Sequence, residues 1–570
     1  MMFFVYLLLL CAACILLTLK KSLETQHMLN RATKSLIVFA CSLLVAVQAT
    51  AQEKLVPLRY NPAAERAHSE LMHAGCANRG GGSLALPFFD DFSRYSLPTA
   101  QPGIPAEWQM WHDDDAYINC TFPIAPLTIG VATLDGLDPL GHPYEWDEPN
   151  MVRGCDSLTS LPIDLSSFSL DDSLQLLFHF QNRGLGDLAE NYDTLYLDFY
   201  TPLGIGEWRN AWKMGGGTGM TSFEQIFITL TDPDMLNNGF RFRFRNLGRP
   251  GGVVDHWHLD YIILADEIDP DAFQFDEVAF QYCNNTLLTE NLTSMPWSHY
   301  LSNAPAYTAP LITISQHNLS ATAENISTQV TVTDEEGNNI PPTGLDLNPS
   351  APAESAFQRT IPLPGLVFPE NFEDEATFTI CAAFNQTDAH LQNDTMCFDQ
   401  HFSNYYAYDD GSAETGWGIN QSGGRAAMKF NSVVPDTLIG VFIYWVPFIY
   451  DYSDESFLLR VYADNAGQPG DELNPDDFSF YSYNYSYDGY NPFYYYELTT
   501  PVAIDGTFYM GWIQQDFDEV YIGNDMNTDV NTSKLFRKYN AFSDWALTSL
   551  GGTIMFRPVF RSDMPEWVGV

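Results

Sequence analysis

Residues 251–264 read GGVVDHWHLDYIIL and set two acids, two histidines and a tryptophan into a run that otherwise has the apolar spacing of a strand. In an extended chain His256, His258 and Asp260 share one face, and Trp257, Leu259 and Tyr261 share the other. An HxH pair on one strand face can hold zinc, but a catalytic zinc site needs a third ligand and an open position. No HExxH accompanies the pair. The competing reading is the last strand of a domain.

Other reactive groupings are weaker. A glycosidase needs two carboxylates held at a fixed separation across a cleft. HDDDAYIN, residues 112–119, is the densest acidic run, yet it reads equally well as a turn before a strand. GxSxG is absent, so the nucleophile elbow of a serine hydrolase is missing. GGGTG at 215–219 lacks the lysine of a phosphate-binding loop and opens no helix, so it reads as a hairpin turn. No catalytic motif rises above chance, and no catalytic or organic-cofactor residue is assigned.

The chain that must position these groups has 570 residues, enough for three or four domains. Its ordinary apolar content and its aromatic content of 14% argue against disorder. The 26 basic and 72 acidic residues give a formal charge of −46. Such a surface repels nucleic acid and anionic headgroups, whose phosphates need clustered Lys and Arg. It fits a secreted surface or one loaded with calcium.

The N-terminus carries two apolar runs. From Met28, Arg31 and Lys34 form a basic n-region, Leu36–Val47 an apolar core, and Ala49-Thr50-Ala51 a small-residue cleavage site. Residues 1–51 therefore read as an export signal whose true start is Met28, with a membrane-anchored N-terminus as the rival. After residue 52 no stretch of 18 apolar residues occurs, so no transmembrane span is expected in the mature chain. Six cysteines remain: Cys76, Cys120, Cys155, Cys283, Cys381 and Cys397. Cys381 and Cys397 flank a turn-rich stretch between two apolar strands and make the best disulfide, with Cys120–Cys155 second. Reduced, buried thiols are the alternative.

Past the signal the pattern is β nearly throughout. DSLQLLFHFQNRG, DTLYLDFY, FEQIFITL and GFRFRFRN alternate with period two or stay apolar for strand lengths, punctuated by Gly, Pro, Asn and Asp. The expected fold is all-β and multidomain, of sandwiches or jelly rolls with an Ig-like module between two sandwiches. The divisions read as an N-terminal extension (52–83), a jelly roll (84–266), a linker (267–305), the Ig-like module (306–402), a C-terminal sandwich (403–561) and a tail (562–570). The tyrosine-rich run YSYNYSYDGYNPFYYYELTT reads as an aromatic hairpin or as a sugar-stacking platform.

Longer strings carry a resemblance. LPFFDDFS, FPIAPLTIGVATLDGLDPLGHPY, GFRFRFRNLG and DHWHLDYIIL, followed by YAYDDGSAETGWG, GTFYMGWIQQ and IMFRPVF, resemble the large exported surface proteins of Bacteroidetes. In these a MAM-like jelly roll precedes an Ig-like module and a second sandwich, and a sorting domain for the type IX secretion system usually follows. This sequence ends at DMPEWVGV without that domain. The resemblance implies a cell-surface or secreted location and a structural calcium ion stapling the first strand of the jelly roll to the last. Asp90, Asp91, Asp255 and Asp260 are the calcium candidates, against solvated acids capping strand ends. The implied role is non-catalytic: adhesion or glycan binding through jelly-roll loops, with glycans or surface proteins as partners and Trp108, Trp111 and Trp146 as ligand-binding candidates. The alternatives are an accessory region of a surface hydrolase, with a carboxylate pair in the jelly roll, and a structural component of a cell-envelope complex.

Overall fold

The computed structural model describes residues 53–64, 83–93, 110–112, 115–145, 147–266, 268–283, 285–385, 393–446, 455–475, 478–482, 493–516 and 520–561. The chain is an all-β, multidomain protein of antiparallel sheets, and its helices are short, such as Trp297–Ser302 and Asn531–Lys534. Among the described residues no helix is long and apolar enough to cross a membrane.

The first sandwich follows from period-two patterning. One sheet runs Glu224–Thr229, Gln175–Asn182, Trp257–Ala265, Val131–Leu134 and Tyr117–Asn119, with Phe88–Asp90 also paired to Trp257–Ala265. The other runs Arg153–Thr159, Asn238–Gly248, Thr194–Thr201 and Glu207–Gly215. Phe240, Phe242 and Phe244 point inward onto Phe178, Leu197 and Phe199, and all six are buried. The alternating Arg241, Arg243 and Arg245 lie outward over Tyr200, Trp208 and Tyr196 at 5.7, 4.3 and 4.2 Å.

The closing strand departs from simple alternation. Tyr261 has φ +49° and the register against Gln175–Asn182 shifts between Asp260 and Ile263. This extra residue re-phases the strand, as a bulge does. Trp257, Leu259, Ile262 and Leu264 all enter the core, while Tyr261 leaves that face to pack with Leu127 and Leu319.

The Ig-like module has one sheet of Val278–Phe280, Leu311–Asn318 and Ser355–Pro362 and another of Gly344–Leu345, Thr328–Thr333, Ala376–Phe384 and Thr395–Phe402. Its first strand comes from 267–305, so that segment is part of the module and not a spacer. Its helix Trp297–Ser302 buries Trp297 and Tyr300 against Phe402 at 4.9 and 4.7 Å between ring centroids. Burying two rings of that size offsets the ordering of the segment.

The C-terminal sandwich is built on two 22-residue strands, Arg425–Val446 and Phe493–Gln514, which pair along most of their length. Residues Glu53–Val56, read as part of an extension, add a strand antiparallel to Thr415–Ile419, with Glu53 opposite Ile419 and Val56 opposite Gly416. In the tyrosine-rich run, 483–492 lie outside the described residues. The flanking Tyr496 hydroxyl accepts from Trp445 Nε1 and donates to the Tyr481 carbonyl, both at 2.8 Å, which is aromatic packing.

Disulfides join Cys381 to Cys397 and Cys120 to Cys283. The expected Cys120–Cys155 pairing is therefore corrected. Cys155 is free and sits in Arg153–Thr159, in the opposite sheet of the first sandwich, while Cys120 follows Tyr117–Asn119 and meets the strand that enters the Ig-like module. Cys76 lies outside the described residues.

Candidate functional site

The histidine pair is a packing element. His256 and His258 are fully buried, with ring centroids 5.9 Å apart. His258 Nε2 donates to the Arg183 carbonyl at 3.2 Å and Nδ1 accepts from the Thr133 hydroxyl at 2.8 Å, so both nitrogens are spent. His256 Nδ1 accepts from the Asp187 amide at 2.9 Å. Burial lowers His256 to about 4 and His258 to about 3, so both are neutral at ordinary pH.

The four calcium candidates do not converge. Phe88–Asp90 does pair with the last strand, with Asp90 opposite Ile262. Asp90, however, spends its carboxylate on the Phe92 amide at 3.0 Å and on Trp111 Nε1 at 2.7 Å. Asp91 accepts from the Ser93 amide and hydroxyl through Oδ1, and from Asn393 Nδ2 at 2.9 Å through Oδ2. Asp260 accepts from the Leu127 and Thr128 amides and the Thr128 hydroxyl. Its pKa is pushed well up, by burial first and by the nearby Asp91 charge second. Asp91 and Asp260 are thus each taken up by donors of the fold, with the Thr128 hydroxyl between the Asp91 carbonyl and Asp260 Oδ1, and form no open oxygen cage. Asp255 belongs elsewhere. Its backbone, at φ +57°, turns it toward Arg249, and its carboxylate lies with those of Glu190 and Asp193, all within 4.8 Å of one another. Glu190 and Asp193 were missed in the sequence because their only local signal is an ExxD turn.

Of the tryptophan candidates, Trp108 and Trp146 lie outside the described residues. Trp111 is half-buried, stacked on Phe92 and edge-on to Phe88 and Phe242, so its ring serves the jelly-roll core and not a ligand.

A carboxylate pair does exist in the jelly roll. The Asp135 amide donates to Asp156 Oδ2 at 2.6 Å, and the Tyr144 hydroxyl donates to Asp156 Oδ1 at 2.9 Å. Asp135 and Asp156 are 4% and 2% exposed, and burial raises Asp135 to about 8. Both carboxyls are spent on donors of the fold and sealed from solvent, with Asp135 Oδ1 on the Leu137 amide.

A polar cavity lies where the three sandwiches meet. It encloses about 650 Å³ and is lined by Pro123 from the jelly roll, Tyr282 and Asn285 from the Ig-like side, and Asp410, Asn527 and Asp529 from the C-terminal sandwich. Its C-terminal wall is a loop folded around one buried acid. Asp525 Oδ1 accepts from the Asn527 and Thr528 amides at 2.7 and 3.2 Å, and Oδ2 accepts from the Asp410 amide at 2.9 Å. Glu414 Oε2 takes the Met526 amide at 2.8 Å. Burial and then the charge of Asp410 push Glu414 up to about 8, and the same causes push Asp525 well up. Asn527 Nδ2, on this wall, is buried and has no acceptor. Asp410 and Glu414 sit in the string YAYDDGSAETGWG and Asp525 and Asp529 in a later stretch, and nothing local marks them as sharing a cavity wall.

No protein-family model matches the chain, and a search of curated proteins finds no match. Among solved structures, it is similar to a beta-glucuronidase from Bacteroides uniformis at 10% identity and a TM-score of 0.20, over 47% of this chain and 28% of that one. A glycosyl hydrolase family 2 member from Bacteroides cellulosilyticus gives 10% identity and 0.20, over 45% and 31%. The glycoside hydrolase domain of Endo-D from Streptococcus pneumoniae R6 gives 8% and 0.20, over 56% and 43%. The chain thus spans less than half the length of each of these proteins, and likeness at this level carries no argument about function.

Proposed function

We propose that this is an exported protein, secreted or displayed on the cell surface, that binds saccharides without turning them over in the cavity between its three sandwiches. The cavity carries the reading. Amides, hydroxyls and carboxylates converge from the Ig-like and C-terminal modules, the jelly roll adds the apolar Pro123 and Ile124, and the Asn527 amide has an unspent donor. Sugar recognition uses that combination: hydroxyls bonded in a fixed pattern, with C–H faces against apolar surface. The export signal from Met28 and the resemblance to exported surface proteins of Bacteroidetes that use the type IX system supply the location. The deeply sealed Asp135–Asp156 pair weighs against hydrolysis in the jelly roll.

The test is a glycan array followed by calorimetry with the best glycan, on the wild-type chain and on Asn527→Ala and Asp529→Ala. Each substitution should weaken binding at least tenfold and leave the melting temperature within a degree or two. Binding that survives both changes would sink the cavity assignment, and release of reducing ends from the bound glycan would favour a hydrolase region instead.

A further inference from the structure

One group of side chains takes no part in that reading. The turn Ala189–Asp193, the end of the strand Asn238–Gly248 and the approach to the closing strand bring Asp187, Glu190, Asp193 and Asp255 around Arg249. Arg249 Nε and its own amide meet Asp255 at 3.1 and 2.7 Å, and Nη2 reaches Asp187 at 2.7 Å and Glu190 at 3.1 Å. Four carboxylates against one guanidinium leave the group short of positive charge. Arg249 makes no ion pair with Asp193. Asp193 is 0% exposed, its Oδ2 accepts from the Glu190 amide at 2.7 Å, and its Oδ1 is buried with no amide, hydroxyl or guanidinium donor, the Glu190 carboxyl being its acidic neighbour. A buried carboxylate oxygen left bare is costly unless a cation completes it.

The backbone holds these oxygens in place. The Gly216 amide donates to the Asp193 carbonyl at 2.9 Å, and the Gly217 amide to the Ala189 carbonyl at 2.7 Å. A side chain at Gly216 would overlap the Ala189 and Glu190 carbonyls. The GGGTG run is therefore the clamp that seats the acidic turn, which is why glycine is needed there.

We propose that Glu190, Asp193 and Asp255 bind one calcium ion, which joins the 189–193 turn to the base of the closing strand. The all-oxygen donor set suits a hard cation. Irregular loop-borne oxygens suit the flexible shell of calcium better than the strict octahedron of magnesium, with water completing the shell. The site is independent of saccharide binding: it shares no residue with the cavity, and its readout is calcium alone.

The experiment is calcium calorimetry and thermal unfolding of the full chain after EDTA, on wild type and on Asp193→Asn. Wild type should take up calcium and gain roughly 5 °C at a hundredfold excess over Kd. Asp193→Asn should lose at least one bound equivalent and most of that gain, while melting no lower than the wild type in EDTA, because the amide removes repulsion. Should Asp193→Asn fail to fold, Glu190→Gln carries the same expectation. A calcium response that is absent from the wild type, or undiminished in the variants, would overturn the assignment, the latter placing calcium at another acidic cluster.

Discussion

Glu53 Oε2 accepts a hydrogen bond from the Thr548 hydroxyl at 2.7 Å, across 495 positions of sequence, and Glu53 Oε1 meets Arg537 Nε at 3.2 Å. The strand that begins the described chain is thus fastened to strands near its end. Behind it Val56 and Leu58 pack with Tyr444 and Tyr521. Glu53→Ala leaves the Thr548 hydroxyl and Arg537 without their acceptor, in a region where Glu53 itself is only 7% exposed. The expected cost is about 2–3 kcal/mol. Denaturant unfolding followed by tryptophan fluorescence measures it, and a cost below about 0.5 kcal/mol would mean the contact contributes little.

Cys120–Cys283 closes 163 positions, whereas Cys381–Cys397 closes 16. In the chain-entropy account the longer loop contributes about 5 kcal/mol and the shorter about 3. Replacing Cys120 and Cys283 by serine should therefore destabilise the chain more than the same change at Cys381 and Cys397. Peptide mapping without reduction should recover both pairs and an alkylatable Cys155. Recovery of a Cys120–Cys155 peptide would refute the pairing.

Glu414 should make the C-terminal sandwich less stable as pH rises. Its folded pKa of about 8 lies above the ordinary 4.5, so the folded form binds the proton more tightly. Stability from that proton is complete below about pH 4.5 and is lost as pH climbs through 8. His258 works the other way. Depressed to about 3 from 6.5, it lowers stability as pH falls below 6.5, so the two trends oppose each other between 4.5 and 6.5. Glu414→Gln removes the acid's contribution alone. It should be close to neutral at pH 5 and more stable than wild type at pH 8 by over about 1.4 kcal/mol, the value of one pKa unit. Melting curves at the two pH values decide it, and equal shifts at both would refute the buried-proton account.

Much of the fold was legible in local pattern. In GFRFRFRN the alternation alone tells which residues face in, because a strand's side chains have period two whatever surrounds it. The same rule misplaced Tyr261, since a single left-handed residue shifts the phase and leaves no trace in composition. Asp-Ser/Thr-aliphatic triplets likewise mark strand starts locally: Asp156–Leu158 lies within Arg153–Thr159, Asp172–Leu174 before Gln175–Asn182, Asp193–Leu195 at Thr194–Thr201, and Asp436–Leu438 within Arg425–Val446.

The sequence by itself determined the class of this protein: all-β, multidomain and strongly acidic, with cores of Phe, Trp and Leu set at strand spacing. Those properties are local, or sums over residues. Only the tertiary structure decided which acids meet. Asp90, Asp91, Asp255 and Asp260 look like one set along the chain, yet neighbours on a strand diverge. Asp90 turns to Trp111, Asp91 to Asn393 of the Ig-like module, and Asp255 to Glu190 and Asp193 some sixty positions earlier. The cavity likewise takes its walls from three modules, and Cys120 finds Cys283 and not Cys155. Such partnerships depend on how sheets stack and turn, where side-chain direction and distance count and sequence separation does not.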